Sequence, residues 1–297
     1  MIKVIRMPKL CGFKETFCAL FEKRSAPRGE NSVVGGRYEI RKKLGRGASG
    51  SVYKVWDKRM RRYLAAKVSQ TRSEKVIAET QLAGELDHQN IVCIYDVIRH
   101  ENQFYIIMEH IEGPTLKNYC KPDTLLTPGK ALEITLNVCR GLDYAHKKGV
   151  IHRDIKPSNI ILDRQSCPKI TDFGVAQVLE LTWRLGLIGT PGYMSPEQLK
   201  DEDITPKSDI FSLGCVLYEL LKGEVAFSGG NFYSTVYKVI NQNPAPLSNL
   251  PMKIRPIAEK IVMKALHKDS NKRYQNCLAF ASDLSRALGY INSLQKK

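Results

Sequence analysis

A short polar segment near the middle of the chain, residues 151–159, carries side chains that could perform phosphoryl transfer. Asp154 could orient a hydroxyl nucleophile, and Lys156 could neutralise charge on the phosphoryl group as it moves. Asn159 and, 13 positions later, Asp172 offer oxygen ligands of the kind that Mg²⁺ prefers. Because these four groups stand close together in the sequence, we predict a metal-dependent phosphoryl-transfer centre.

A glycine-rich segment further upstream is suited to binding phosphate. Gly45, Gly47 and Gly50 form a G-x-G-x-x-G pattern, in which backbone amides can approach phosphate oxygens because no Cβ intervenes. The same pattern opens dinucleotide-binding domains, where it leads into a helix. Here residues 51–56 continue as a strand, and an ordinary hairpin turn would not need three glycines.

The elements that position these segments fall into two groups. One helix after Thr71 interrupts a β-rich region, in which the predicted strands are 38–44, 51–56, 63–68, 91–99 and 103–108. After Gly113-Pro114 the pattern becomes helical, and the predicted helices are 128–149, 206–223, 257–266 and 278–288. We therefore predict an α+β fold with a small β-rich first lobe and a larger, mainly helical second lobe.

The motifs together resemble those of eukaryotic-type (Hanks-type) serine/threonine protein kinases and are similar to bacterial members of that family. His152-Arg-Asp-x-Lys-Pro-x-Asn followed by Asp172-Phe-Gly carries the resemblance, which covers about residues 38–290. It implies a bilobal kinase fold and Mg-ATP as the phosphoryl donor, with Mn²⁺ as an alternative ion. Asp154 and Lys156 would be catalytic, and Asn159 and Asp172 would hold the metal. A lysine two residues after the aspartate marks serine/threonine rather than tyrosine kinases.

The resemblance also assigns residues to the nucleotide. Lys67 matches the lysine that contacts the α- and β-phosphates, and Glu79 matches its salt-bridge partner on the next helix. Only eleven residues separate the two, fewer than is usual in the family, so Glu74 is kept as a second candidate. The resemblance makes Met108 the gatekeeper of the adenine site. The other implied nucleotide contacts are Leu44, Gly45, Gly47, Gly50, Val52, Ala65, Glu109, Ile111 and Ile161.

Residues outside the cleft receive structural and regulatory roles from the same resemblance. Glu197 should pair with Arg273, and Asp209 should brace the backbone around Arg153. Thr190 would touch the catalytic Asp and Lys. Between Gly174 and Gly189 the hydroxyl residue is Thr182, so either it is phosphorylated or activity needs no phosphate there.

Composition and residue patterns indicate the limits of the domains and the cellular compartment. We predict an N-terminal extension at 1–36, with an amphipathic helix around residues 10–21 and a linker. A kinase domain follows at 37–290, with lobes 37–111 and 112–290, and a short basic tail at 291–297 ends the chain. No apolar run approaches 18 residues, so no transmembrane segment is expected. The eight cysteines are scattered, which fits a reducing, cytoplasmic setting.

The charge balance bears on partners. Lys and Arg exceed Asp and Glu by 46 − 30 = 16, which suggests an acidic partner: nucleic acid, anionic lipid or acidic protein substrates. A solvated basic surface is the plainer interpretation. No nucleic-acid-binding motif is present, so no nucleic-acid partner is expected. The predicted function is phosphorylation of protein Ser/Thr hydroxyls, including autophosphorylation through a transient dimer. The alternative is a pseudokinase scaffold that binds ATP and partners without turnover.

Overall fold

The computed structural model describes residues 32–47, 50–69, 80, 82–100, 103–173 and 191–295. The first part is an antiparallel sheet with the strand order β1-β2-β3-β4-β6-β5. Its strands are β1 (Val33–Val34), β2 (Tyr38–Gly47), β3 (Gly50–Asp57), β4 (Arg62–Ser69), β5 (Ile94–His100) and β6 (Gln103–Met108).

This sheet has two apolar faces, because successive side chains on a strand point in opposite directions. On β3, Tyr53 and Val55 are buried, whereas Lys54 between them is only partly covered. Tyr53 and Val55 belong to a core cluster on one face. Ala65 and Met108 belong to a separate cluster on the other face, which borders the cleft between the two parts of the molecule.

The second part of the chain is mainly helical. Its helices are α1 (Pro128–Lys147), α2 (Pro196–Lys200), α3 (Pro206–Lys222), α4 (Phe232–Asn241), α5 (Arg255–Ala265) and α6 (Cys277–Gln295). The side chains of Thr127 and Thr205 cap the starts of α1 and α3, and a proline follows each cap. Gly223 ends α3 with φ at 82°, a conformation that glycine adopts without strain. Because α3 is buried over nearly its whole length, it forms the centre of the main core.

A small hairpin of β7 (Ile160–Leu162) and β8 (Pro168–Ile170) ties the two parts together. The N–H of Val92 donates to the carbonyl of Ile170 at 2.8 Å, and the N–H of Ile170 donates to the carbonyl of Asn90 at 2.8 Å. These backbone bonds fix the segment that leads from β8 into Asp172 against the first part of the molecule.

The predicted two-part α+β fold is confirmed, and the five predicted strands and the four predicted later helices are present. Sequence reasoning missed β1, β7, β8, α2 and α4, most of which are too short to show a period. β1 lies inside the predicted extension, and α6 crosses the predicted boundary at residue 290, because Val34 and Ile291 are both buried. The amphipathic helix around residues 10–21, and most of the helix after Thr71, lie outside the described residues. No described helix is long and apolar enough to cross a membrane.

Candidate active site

The loop that carries Asp154 is held in place by a carboxylate beneath it. Asp209 on α3 accepts hydrogen bonds from the N–H groups of His152 (2.9 Å) and Arg153 (2.8 Å), as predicted. Its Oδ2 also contacts His146 Nε2 at 2.7 Å. Burial opposes ionisation of Asp209, but these bonds and the nearby histidines hold its pKa below the usual value. With φ at 67°, Arg153 needs such an anchor, because non-glycine residues rarely adopt that conformation.

Two of the predicted catalytic and metal residues, Lys156 and Asn159, contact a third, Asp154. Lys156 Nζ lies 2.7 Å from Asp154 Oδ2, and Asn159 Nδ2 donates to the same oxygen at 3.0 Å and to the Asp154 carbonyl at 2.8 Å. A 3₁₀ turn at Pro157–Asn159 brings Asn159 back toward the loop. Among the described residues, both of these donors bond Oδ2, and none bonds Oδ1 of Asp154.

Asp172 lies across the cleft from the first lobe, with φ at 70°. Its Oδ1 is 2.7 Å from the ammonium group of Lys67, which is almost fully buried. Burial opposes ionisation of Asp172, but Lys67, together with His152 and Lys156, leaves its pKa below the usual value. Next to it, the ring of Phe173 packs edge-on against His152 at 4.6 Å, and His152 Nε2 contacts the Thr171 carbonyl at 2.8 Å. His152 therefore couples the loop of Asp154 to the segment of Asp172.

The glycine-rich segment is the closed end of the β2–β3 hairpin. Gly47 pairs with Gly50 and Gly45 pairs with Val52, while residues 48 and 49 lie outside the described part of the chain. Gly50 has φ at 139°, which only glycine adopts readily. A Cβ added at Gly45 would meet nothing within 4 Å, so there is open space above this backbone. The neighbouring Leu44 is 45% exposed.

Four of the apolar residues predicted around the nucleotide belong to one cluster at the back of the cleft. Ala65 on β4 pairs with Met108 on β6, and both are buried. Val52 and Ile111 pack against them. Ile161 is half-buried on β7, bridges to Thr115, and is not part of this cluster.

Two contacts in this region were not predicted from the sequence. The Glu109 carboxylate accepts a bond from Lys169 on β8 at 2.9 Å, and the Glu109 N–H donates to the carbonyl of Cys93 at 2.8 Å. The first contact ties the segment after β6 to β8, and the second ties it to the residue before β5. Neither β7 nor β8 was recognised in the sequence. Their pairing, which places Lys169 opposite Ile161, was therefore not available to predict the contact with Glu109.

The end of the segment after Asp172 is anchored as predicted. Glu197 accepts two bonds from the guanidinium of Arg273, at 2.7 and 2.8 Å, and both residues are buried. Gln198, which sequence reasoning missed, donates to the carbonyl of Arg153 at 2.8 Å. A Ser-x-x-Gln capping box at Ser195 was visible in the sequence, but the box predicts a helix start rather than this distant contact.

The remaining predictions fall on residues that the structure does not describe. Glu79 and Glu74, the two candidate partners of Lys67, are among them, as are Thr182 and Thr190. The Lys67–Glu79 salt bridge and the phosphorylation of Thr182 therefore stay predictions.

The chain is similar to known proteins over most of its length. A family model described as the protein kinase domain matches residues 38–284. The chain is 35% identical to serine/threonine-protein kinase PknB of Mycolicibacterium smegmatis, over 84% of this chain and 43% of that protein. It is 35% identical to the probable serine/threonine-protein kinase SCO3848 of Streptomyces coelicolor, over 86% of this chain and 40% of that protein.

A third relative, serine/threonine-protein kinase PknB of Mycobacterium tuberculosis, is 34% identical over 86% of this chain and 43% of that protein. The chain thus spans less than half the length of these curated relatives. Together with the geometry around Asp154 and Asp172, these matches show that the chain belongs to the protein kinase family, in its eukaryotic-type serine/threonine branch as found in bacteria.

Proposed function

We propose that this chain is a serine/threonine protein kinase that transfers the γ-phosphoryl group of ATP to Ser/Thr hydroxyls of protein substrates, including its own. The observation that carries the proposal is the convergence on one cleft of Asp154, Lys156 and Asn159 with the Lys67–Asp172 pair. No single pair of these residues would suffice, since a lysine–aspartate contact is common in proteins. The full set supplies each group that the transfer requires.

Asp154 has the position of the group that receives the substrate. A hydroxyl bound at its Oδ1 would be aligned for attack on the γ-phosphorus, and its proton would pass to the carboxylate as the bond to the bridging oxygen of ADP breaks. Lys156 lies 2.7 Å from the other oxygen of Asp154, so it is close enough to meet the negative charge on the transferring group. Most of the acceleration would come from positioning and charge stabilisation.

The residues around the phosphate end of the cleft fit a divalent cation. Asn159 uses its Nδ2 to bond Asp154, and its amide oxygen, which accepts no hydrogen bond from the described residues, could serve as a ligand. Asp172 adds a carboxylate whose lowered pKa keeps it ionised at neutral pH. An all-oxygen donor set suits Mg²⁺ or Mn²⁺ rather than a softer metal. When bound, the ion would neutralise charge on the phosphate oxygens.

The nucleotide itself would lie between the glycine-rich hairpin and the apolar cluster of Ala65 and Met108. Open space above Gly45 supports close approach of the backbone to the phosphates. The carbonyl of Glu109 and the backbone of Ile111 would meet the polar edge of adenine. The Lys169 contact to the Glu109 side chain would hold that edge at a fixed distance.

Transfer from labelled ATP in the presence of Mg²⁺ tests the proposal directly. The purified chain would be incubated alone and with a generic protein substrate, beside Asp154→Asn, and the products mapped by mass spectrometry. We expect label on Ser or Thr that disappears in the variant. Tight Mg-ATP binding without any transfer, in the presence of a range of protein substrates, would instead indicate the pseudokinase scaffold.

The surroundings of the reaction are part of the same proposal. The six cysteines in the described part of the chain are all free thiols, which supports a reducing cytoplasm as the compartment. The net positive charge supports acidic protein substrates, and autophosphorylation would need a transient dimer. Comparing the initial rates on an acidic and a basic substrate protein, and the dependence of self-labelling on enzyme concentration, tests both.

A further inference from the structure

The turn between β3 and β4 presents the most concentrated charge in the first lobe. It consists of residues 58–62, Lys-Arg-Met-Arg-Arg, and we call it the basic turn. All five side chains are exposed, and Met60, at the centre, is 55% exposed. Four exposed cations therefore flank one exposed apolar residue in the sequence at the end of a hairpin.

The basic turn is held in shape by a buried carboxylate. Asp57, whose side chain is fully buried, accepts two bonds from the guanidinium of Arg37 at 2.8 and 2.7 Å. It also accepts the N–H groups of Arg59 (3.0 Å) and Met60 (3.2 Å). Arg61 has φ at 51°, a conformation that such fixed surroundings can maintain in a non-glycine residue. The turn is thus preorganised, and its own acidic residue is already neutralised.

The cations of the turn have no acidic partner among the described residues. In the part of the chain that the structure describes, no carboxylate lies within 4.0 Å of Lys58, Arg59, Arg61 or Arg62. Among the described residues, Arg62 is the one cation of the turn with a side-chain partner, the ring of Tyr95 at 4.3 Å. Four positive charges are consequently available to an external anion.

The shape of the surface selects among anionic partners. A single-stranded nucleic acid would need open aromatic faces for its bases. Arg62 already lies over Tyr95, and Lys54 lies over Tyr63 at 4.4 Å. An extended acidic peptide would need a groove, whereas this is the projecting end of a hairpin. A second copy of the same turn would bring like charges together. A flat, negatively charged surface meets none of these objections.

We propose that the basic turn binds the surface of a membrane that contains anionic lipids, with Met60 entering the headgroup region and the four cations contacting lipid phosphates. This binding is peripheral, independent of the kinase activity, and reversible. Each cation close to such a surface strengthens binding about fivefold, and salt weakens the attraction. The first lobe would then face the membrane and leave the second lobe free to meet protein substrates.

Co-sedimentation with vesicles tests the proposal. The purified chain would be mixed with vesicles of phosphatidylcholine containing phosphatidylglycerol, and with vesicles of phosphatidylcholine alone. Arg59→Gln/Arg61→Gln removes two cations of the turn. Lys260→Gln/Lys272→Gln is the matched control, because it removes two exposed charges far along the chain in the second lobe. We expect binding to the anionic vesicles only, weakened roughly 25-fold by the first pair and little by the second.

Several results would overturn the proposal. The first is an equal loss of vesicle binding in the two double variants. The others are equal binding to both kinds of vesicle, and no binding to anionic vesicles at low salt. A dimer that the turn variant dissociates in sedimentation without lipid would assign the surface to a second copy instead. Retention on single-stranded RNA that the turn variant abolishes, with vesicle binding unchanged, would assign it to nucleic acid. Unchanged thermal unfolding of both variants would establish that neither result comes from misfolding.

Discussion

The ammonium group of Lys67 lies 2.7 Å from a carboxylate oxygen of Asp172, so one ion pair joins the sheet of the first lobe to the segment that follows β8 in the second. Lys67 is almost fully buried, and Asp172 has a lowered pKa because of it. The pair thereby fixes a positive and a negative group where triphosphate and cation would enter. Because the pair spans the two lobes, the contact between Lys67 and Asp172 depends on the relative position of the lobes.

We expect Lys67→Met to lower kcat/KM for ATP by roughly 10²–10³, because it removes a preorganised charge aimed at the phosphates. Initial rates of transfer from labelled ATP measure this. Lys42→Met is the control, since Lys42 is exposed on β2 and has no side-chain partner among the described residues. Retention of more than half the activity by Lys67→Met would contradict the assigned role.

Breaking the buried pair Glu197–Arg273 should be among the most destabilising single changes in the described part of the chain. Glu197→Gln leaves the guanidinium of Arg273 buried without its counter-charge, which costs about 3–5 kcal/mol. Chemical unfolding of the two proteins gives the difference in free energy. Glu202→Gln serves for comparison, because Glu202 is exposed and lies 3.8 Å from Lys200, where a loss below about 0.5 kcal/mol is expected. If Glu197→Gln lowered the free energy of unfolding as little as Glu202→Gln is expected to, the pair would be unimportant for stability.

The part of this site that could be predicted from the sequence consists of residues that lie close together along the chain. Asp154, Lys156 and Asn159 stand within six positions of one another, so their order along the chain already places them on one loop. The helix starts at Thr127 and Thr205 were equally predictable. In each, the threonine caps backbone N–H groups two or three residues further on, and the proline fits the first helical position.

Contacts between distant segments could not be predicted in the same way. Nothing in the residues around Lys169 indicates Glu109 as its partner, and Gln198 reaches Arg153 only because α2 packs below the loop. Glu197–Arg273 was predicted only through the family resemblance. Such pairs depend on the tertiary arrangement, which no periodicity in one sequence reveals.

Acid should weaken the anchor of the β3–β4 turn. Asp57 has its pKa lowered from 3.8 to about 2, mainly by the hydrogen bonds from Arg37. Since the folded state binds its proton less readily than the unfolded state, the contribution is complete above about pH 5 and is lost as the pH falls from about 4 toward 2. It amounts to about 2 kcal/mol.

Asp57→Asn tests this linkage. We expect the wild type to exceed Asp57→Asn in free energy of unfolding at pH 6, with a difference that shrinks as the pH is lowered to 3. Denaturant unfolding at several pH values measures it, and Asp203→Asn, at an exposed position, should show no such trend. A difference that stays constant with pH would mean that the charge of Asp57 is unimportant.

The open space above Gly45 yields a prediction that separates nucleotide binding from folding. A methyl group at this position would meet no protein atom within 4 Å, so Gly45→Ala should leave the free energy of unfolding unchanged or slightly increased. The same methyl group would occupy the space that the phosphates need, so KM for ATP should rise several-fold. Gly50→Ala is the contrasting variant, because φ of 139° makes any side chain there destabilising. If Gly45→Ala binds ATP as tightly as the wild type, the phosphates do not approach this stretch of backbone.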